Sequence, residues 1–295
     1  MVDKVLVPVD FSEVSSAVVK SAKFIGKAFK PKFYLLHVIS PLVYISVPET
    51  IVLDVIDTSV IEEIEEAKKE NAKKLLNRLK EELKEFPVET IIEIGSPADV
   101  ITEKEEVLDV DLTILGGHQK GLVERILLGS TSEAVVKHSK KPVLVVKGHP
   151  IEKLSKVAIA YDFSEMGDAL LSYAKEFLKP FGSKVTLIHV EEKIELPILE
   201  KLGIDIIPQI RKKKGEKLNH IKEEFEREGL PCEVIYLESG EPSEAIVKTL
   251  RQGSFDMVMV ANKGLSGLKR ILIGSVSLEI LRKSPIPVFV YKKED

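Results

Sequence analysis

The chain has 295 residues, enough for two domains at roughly 100–200 residues each. Forty-three basic against 47 acidic residues leave a net charge of −4, which argues against nucleic-acid binding through bulk charge. A single cysteine, Cys232, excludes an intrachain disulfide and a cysteine-based zinc site, and the expected compartment is a reducing cytoplasm.

Residues 4–9 form a near-continuous apolar run, the mark of a strand covered on both faces. No basic segment followed by a long apolar stretch precedes it, so no targeting signal is expected. Ser12 is placed as the N-cap of a helix running to Phe29, and residues 32–38 read as a second strand. Residues 41–61 are apolar but broken by Pro48, Glu49, Asp54 and Asp57, so no membrane span is expected. A long helix over 60–85 follows, with Ile61, Ile64, Ala72, Leu75, Leu76, Leu79 and Leu83 at helical spacing. Residues 88–94 form a third strand, Pro97 opens a short helix, and residues 111–115 form a fourth strand. The next helix starts near Gly129-Ser130, where Ser130 and Glu133 have capping-box spacing. Residues 142–147 form the fifth strand.

The plan then repeats. Pro8-Val9-Asp10-Phe11-Ser12-Glu13 returns as Ala160-Tyr161-Asp162-Phe163-Ser164-Glu165, and Leu35-Leu36-His37-Val38 as Leu187-Ile188-His189-Val190, both offset by 152. Arg125-Ile126-Leu127-Leu128-Gly129-Ser130 returns as Arg270-Ile271-Leu272-Ile273-Gly274-Ser275, offset by 145. Gly95-Ser96-Pro97 matches Gly240-Glu241-Pro242 at the same offset of 145, so the two constant offsets mean one duplication with a net change in length between His189 and Gly240. A period of that size denotes whole domains rather than solenoid units. The boundary falls in the polar, Gly- and Pro-bearing stretch 147–152, giving domains 1–149 and 153–295. Strands of the second half are placed at 156–161, 184–190, 232–237, 257–260 and 288–291.

The fold class is therefore α/β: two tandem domains, each a five-stranded parallel sheet flanked by helices with right-handed crossovers. Such sheets bind ligands beyond the carboxyl ends of the strands, where the strand order reverses. Candidate residues end the strands: Asp10, Val38 and Gly116-Gly117, then Asp162, Val190 and Ala261-Asn262. After the fourth strand each half carries a glycine-bearing loop leading to a helix that opens with Gly129-Ser130 or Gly274-Ser275. A helix start of this kind presents backbone N–H groups to an anion. The same glycines also serve simply as turn residues, and the same serine as a helix cap.

Both halves resemble universal stress protein domains of the UspA type, whose nucleotide-binding subgroup carries G-x2-G-x9-G-[ST] in this loop. The resemblance covers nearly the whole chain. It implies a Rossmann-like, adenine nucleotide α-hydrolase-like sheet and an adenine nucleotide, ATP or AMP, with a divalent cation accompanying ATP. It also implies that Asp10 or Asp162 and backbone near Val38 or Val190 hold adenosine. Gly116, Gly129 and Ser130, or Ala261, Gly264, Gly274 and Ser275, would then hold phosphates. Each half departs from the motif once: Gln119 replaces the second glycine in the first half, and Ala261 the first glycine in the second. If the second-glycine position needs positive φ, Gln119 costs about 1–2 kcal/mol, whereas Ala261 adds only a methyl. The second site is therefore ranked above the first.

His37 and His189 read as packed residues, Arg125 and Arg270 as solvent or interface residues, and Cys232 as buried and inert. His118 and Lys120 bring basic groups to the first loop. There is no G-x-x-x-x-G-K-[ST], no G-x-G-x-x-G after the first strand and no H-E-x-x-H. Three readings stay open: a regulatory nucleotide binder, a slow metal-assisted ATP hydrolase, and a partner-binding protein whose sites have decayed. The resemblance implies dimerisation through the fifth strands, as in many proteins of this kind. The expectation here is an internal pseudo-twofold dimer in which 142–147 lies antiparallel to 287–291, and further homo-oligomerisation through 43–60.

Overall fold

The computed structural model describes residues 2–41, 58–117, 128–192, 207–262 and 273–293. These fall into two compact units, the chain passing from one to the other between Pro150 and Ile151. The first runs β1 (Lys4–Pro8), α1 (Glu13–Phe29), β2 (Lys32–Ile39), α2 (Thr58–Glu82), β3 (Val88–Ile94), α3 (Pro97–Val107), β4 (Leu112–Gly116), α4 (Ser130–His138) and β5 (Val143–Val146). Its strands are all parallel, in the order β3-β2-β1-β4-β5.

The second unit runs β6 (Lys156–Ala160), α5 (Glu165–Leu178), a 3-10 turn (Lys179–Phe181), β7 (Lys184–Glu191), α6 (Ile207–Arg227), β8 (Cys232–Glu238), α7 (Pro242–Gln252), β9 (Met257–Ala261), α8 (Ser275–Lys283) and β10 (Val288–Tyr291). Its order is β8-β7-β6-β9-β10, again all parallel. In both units the strand order reverses between the first and fourth strands, which places the cleft there.

The central strands carry the core. Val5, Leu6, Val7, Ile114, Val157, Ile159 and Met259 are fully buried, as expected where helices cover both faces. Helix α1 stops at Lys30, which takes a left-handed conformation (φ 54°) and returns its N–H to Gly26 O at 2.7 Å. Gly26 admits the next layer: a Cβ there would lie 2.9 Å from the Phe33 ring and 3.0 Å from that of Phe86. Helix α2 ends earlier than its spacing predicts. Leu83 N donates to Lys80 O and Phe86 N to Leu83 O, bonds that tighten the chain into a 3-10-like turn. That turn buries Leu83 and brings Phe86 edge-on to Phe33, 5.3 Å between ring centroids.

One staple is repeated in each unit. Asp111, expected within the fourth strand, lies just before it, since β4 begins at Leu112. Instead, Asp111 Oδ2 accepts from Asp3 N (2.8 Å) and Lys4 N (2.9 Å). Asp256 Oδ2 does the same for Ser155 N (2.8 Å) and Lys156 N (2.9 Å). Each carboxylate ties the entrance of the first strand to that of the fourth. Hydrogen bonds to a charged acceptor contribute about 1.5–3 kcal/mol when part-buried. Asp256→Ala is expected to destabilise its unit by about 1–3 kcal/mol, read as a lowered urea midpoint. An unchanged midpoint would show that the staple is redundant.

Candidate functional site

The cleft is built on a turn that neither composition nor periodicity announces. After β1 and β6 the chain makes a tight turn in which Phe11 (φ 60°) and Phe163 (φ 62°) adopt the left-handed conformation. For a residue with a Cβ this costs about 1–2 kcal/mol, so something must hold it. The preceding aspartate does so. Asp10 Oδ1 accepts from Ser12 N (3.0 Å) and Ser15 Oγ (2.9 Å). Asp162 Oδ1 accepts from Ser164 N (3.0 Å) and Ser164 Oγ (2.6 Å). Ser164 Oγ in turn accepts from Gly167 N, capping α5 at 3.0 Å. Ser12 occupies the N-cap position of α1 without a side-chain cap bond. Both aspartates are exposed, and Asp162 Oδ2 meets no donor among the described residues.

The phenylalanines fold back over the second strand. Phe11 lies 4.2 Å from His37, and Phe163 lies 4.6 Å from His189. Each histidine bonds through Nδ1 to the end of the first strand, His37 to Val9 O (2.8 Å) and His189 to Tyr161 O (2.9 Å). The sequence reading of both as packed residues describes these contacts. The aspartate turn, the histidine and Val38 or Val190 thus form one unit at the carboxyl ends of the first two strands.

A hydroxyl latch joins the fourth strand to the helix start. Ser132 Oγ donates to Gly116 O at 2.5 Å, and Ser277 Oγ to Ala261 O at 2.8 Å. These serines were missed. The repeated Gly-Ser-x-Ser at 129–132 and 274–277 was the signal available. Helix α4 begins at Ser130 with Gly129 as its N-cap, and α8 at Ser275 with Gly274 as its N-cap. The capping-box reading of Ser130 and Glu133 is therefore corrected: Ser130 is already helical, and its side chain is exposed. The latch carries the attachment to the strand two residues further on. Neither helix has a side-chain cap bond, so the first backbone N–H groups of both have no side-chain acceptor at the N-cap.

Gly116 is required by packing rather than by φ. A Cβ there would lie 2.7 Å from Val14 Cγ1 and 3.3 Å from Val18 Cγ2. In the second unit Ala261 carries that methyl, and the duplicated position of Val14 holds the unbranched Met166. Asn262, which stands where the first unit has Gly117, is 1% exposed, and both polar atoms of its side chain lack a hydrogen-bond partner. Among the candidates, Asp10, Val38, Gly116, Gly129 and Ser130 line one end of the first sheet, and Asp162, Val190, Ala261, Gly274 and Ser275 one end of the second. Gly264, Gln119, His118, Lys120, Arg125 and Arg270 lie outside the described residues, as does most of 43–60. Among the described residues no three His, Cys, Asp or Glu side chains converge to hold a metal ion. No described helix is long and apolar enough to cross a membrane. Cys232 is buried, which pushes its thiol up to about 11.

Among the described residues, the second unit has a polar network with no counterpart in the first. At the end of β7, Glu191 is 3% exposed, and Tyr236 Oη on β8 donates to its Oε2. From α6, Arg211 Nε lies 3.3 Å and Lys214 Nζ 3.4 Å from the same carboxylate. One turn on, Lys217 bonds Asp168 Oδ2 at 3.1 Å, and Asp168 also accepts from Tyr161 Oη. Lys217 lies 5.6 Å from the ring centres of both Tyr161 and Phe163. By strand register, Glu191 and Tyr236 stand where the first unit has Ile39 and Ile92. Burial opposes the charge on Glu191, but the Tyr236 hydrogen bond and the two cations prevail and hold its carboxyl below the usual range. Burial and the carboxylates of Asp168 and Glu191 push the hydroxyls of Tyr161 and Tyr236 upward, so both stay protonated donors.

Each half is a Rossmann-like α/β domain whose strand order reverses between its first and fourth strands, present twice in one chain. Comparison makes the class specific. The universal stress protein family model matches residues 1–147 and 153–292, and the chain belongs to that family. Universal stress protein MJ0577 of Methanocaldococcus jannaschii is 37% identical over 156 residues, covering 50% of this chain and 96% of that protein. A universal stress protein of Mycolicibacterium smegmatis is 25% identical over 298 residues, covering 98% of this chain and 96% of that protein. The crystal structure of a universal stress protein from Archaeoglobus fulgidus matches with a TM-score of 0.72 at 27% identity, covering 99% of this chain and 98% of that one.

The Glu191 network makes a pH-dependent contribution with a defined sign. Its folded-state pKa lies below the unfolded value of about 4.3. The stabilisation is therefore complete above that value and is lost as pH falls through the folded-state pKa. Glu191→Gln should cost about 2 kcal/mol at pH 7 and flatten the acid limb of a urea-midpoint series run from pH 7 to pH 3. A variant with an unchanged acid limb would show that Glu191 is not a charged anchor of α6.

Proposed function

We propose that this universal stress protein binds an adenine nucleotide in its second-domain cleft, as a regulatory ligand rather than a substrate. The observation that carries the reading is the latch of Ser277 onto Ala261. It holds the uncapped start of α8 beside the end of β9, while the Asp162 turn stands at the end of the neighbouring strand β6. Helix starts attract anions through oriented N–H groups and the helix dipole, an effect of about 0.3–1 kcal/mol and up to ~2 when partly buried. The groups present fit the ligand. Ser275 and the first N–H groups of α8 would receive phosphate oxygens. Asp162 Oδ2 offers an acceptor to ribose hydroxyls, and the backbone near Val190 offers edge contacts to the base. The first cleft has the same plan, with Gln119 in its loop and Gly116 tightly packed. The second cleft is proposed as the stronger.

Gly274 and Gly129 test this ranking cleanly. Their φ values, −66° and −65°, are ones any residue adopts, so a side chain there blocks the helix start without straining the backbone. In titration calorimetry with AMP, ADP and ATP, Gly274→Gln should weaken binding about tenfold or more, a loss of about 1.4 kcal/mol. Gly129→Gln should have a smaller effect. The ranking is wrong if Gly129→Gln alone removes all binding. Absence of both heat and thermal shift with all three nucleotides would sink the reading itself.

A further inference from the structure

We infer that the outer face of α6 is a docking surface for α2 of a second copy of this chain, the two helices lying parallel with their starts level. The inference is independent of the nucleotide reading. The outer face of α2 carries Glu63, Ala67, Asn71, Lys74 and Arg78, all exposed and spaced in the steps of three and four that form one row. The outer face of α6 carries Lys212, Gly215, Asn219, Glu223 and Glu226 in the same kind of row. Charge runs in opposite senses along the two. The α2 row goes from acid at Glu63 to base at Lys74 and Arg78, and the α6 row from base at Lys212 to acid at Glu223 and Glu226. The spacing also agrees. Glu63 and Lys212 each stand five residues after the first residue of their helix, and Lys74 and Glu223 each stand sixteen after it. Opposite charges therefore meet at both ends of a contact roughly 16 Å long at 1.5 Å per residue. Between them the small Ala67 and Gly215 let the backbones approach, and Asn71 meets Asn219, each with both donor and acceptor groups.

Nothing among the described residues explains these rows. Glycine in a helix interior costs about 0.5–1 kcal/mol relative to alanine, yet a Cβ at Gly215 would meet nothing within 4 Å. Glu63, Lys74 and Glu223 form no ion pair among the described residues, and Lys212 reaches only Glu216 of its own helix, at 3.9 Å. The neighbouring cations are engaged within their unit, Arg211 and Lys214 by Glu191 and Lys217 by Asp168. The α6 row left over is the one that complements α2. Beside Glu63, Ile64 is a large apolar side chain left 40% exposed, which gives the contact an apolar edge. Complementary charge fixes partner and register more than affinity, and here it discriminates. Turning α6 end for end sets Glu63 against Glu223 and Lys74 against Lys212. Antiparallel pairing of like helices matches the charges too, but it sets Ala67 against Glu70 and Gly215 against His220, so neither small residue faces another. A second copy is the occupant these rows specify, since each finds its complement in the same sequence.

The test uses the full chain and reads mass against concentration by sedimentation equilibrium. Two variants leave the net charge unchanged. Lys212→Glu with Glu223→Lys reverses the α6 row, and Glu63→Lys with Lys74→Glu reverses the α2 row. The wild type is expected to self-associate, and each variant alone should do so about tenfold or more weakly. An equimolar mixture of the two variants should regain wild-type association, as should a chain carrying all four substitutions. Gly215→Gln should weaken association by a similar factor while leaving the urea midpoint unchanged or raised, because glycine is the poorer helix residue. That separates lost docking from lost folding. A mass of 32.9 kDa at every concentration overturns the inference. Association that survives reversal of either row overturns it in favour of like helices or another surface, since antiparallel like pairs tolerate both reversals. A mixture that fails to regain association, or full association in Gly215→Gln, overturns it as well.

Discussion

A single carboxylate oxygen at the end of each first strand organises the cleft. Asp162 Oδ1 gathers the N–H and hydroxyl of Ser164, and this holds Phe163 in a conformation costing about 1–2 kcal/mol. With Phe163 turned back, its ring packs on His189 and lies within 6 Å of Lys214 and Lys217 on α6. Asp10 sets the same turn through Ser12 and Ser15. Strain of this kind persists only where the surroundings over-determine it, and it gathers at functional sites. In the second unit Asp162 is exposed and spends only Oδ1 on the turn, so among the described residues its Oδ2 meets no donor.

Duplication made two copies of that frame, and substitution then separated them. The first unit keeps Gly116 under Val14 and lines the edge of its second strand with Ile39 and Ile92. The second relaxes the glycine to Ala261 and replaces the two isoleucines with a buried carboxylate and a phenol. Buried charge survives only when it is paired and hydrogen-bonded, and Tyr236, Arg211 and Lys214 meet that demand for Glu191. The outcome is a second cleft anchored by charge where the first is anchored by packing.

Most of the fold was legible because the physics that makes it is local and periodic. Apolar runs gave the strands to within about a residue, and the repeat offsets gave the tandem plan. Asp10, Asp162, Val38 and Val190 were legible because strand ends are. The Ser132 and Ser277 latches were less so, since a hydroxyl two residues into a helix reads as solvent-facing until the strand behind it is known. Glu191 and Tyr236 were not legible at all. They lie 45 residues apart, and each alone reads as an ordinary residue near a strand end. The ends of helices suffered in the same way. Ser130 has the spacing of a cap, but the helix takes Gly129 for that role because Ser132 fixes its start.

Occupancy of the second cleft by a nucleotide is tested most directly by residue-by-residue chemical-shift mapping of the 15N-labelled chain during AMP titration. Saturable backbone shifts are expected at Asp162, Phe163, Val190, Ser275 and Ser277, with weaker or no shifts at Asp10, Val38 and Ser130. Shifts confined to the first-unit residues, or an unchanged spectrum at millimolar AMP, would contradict it.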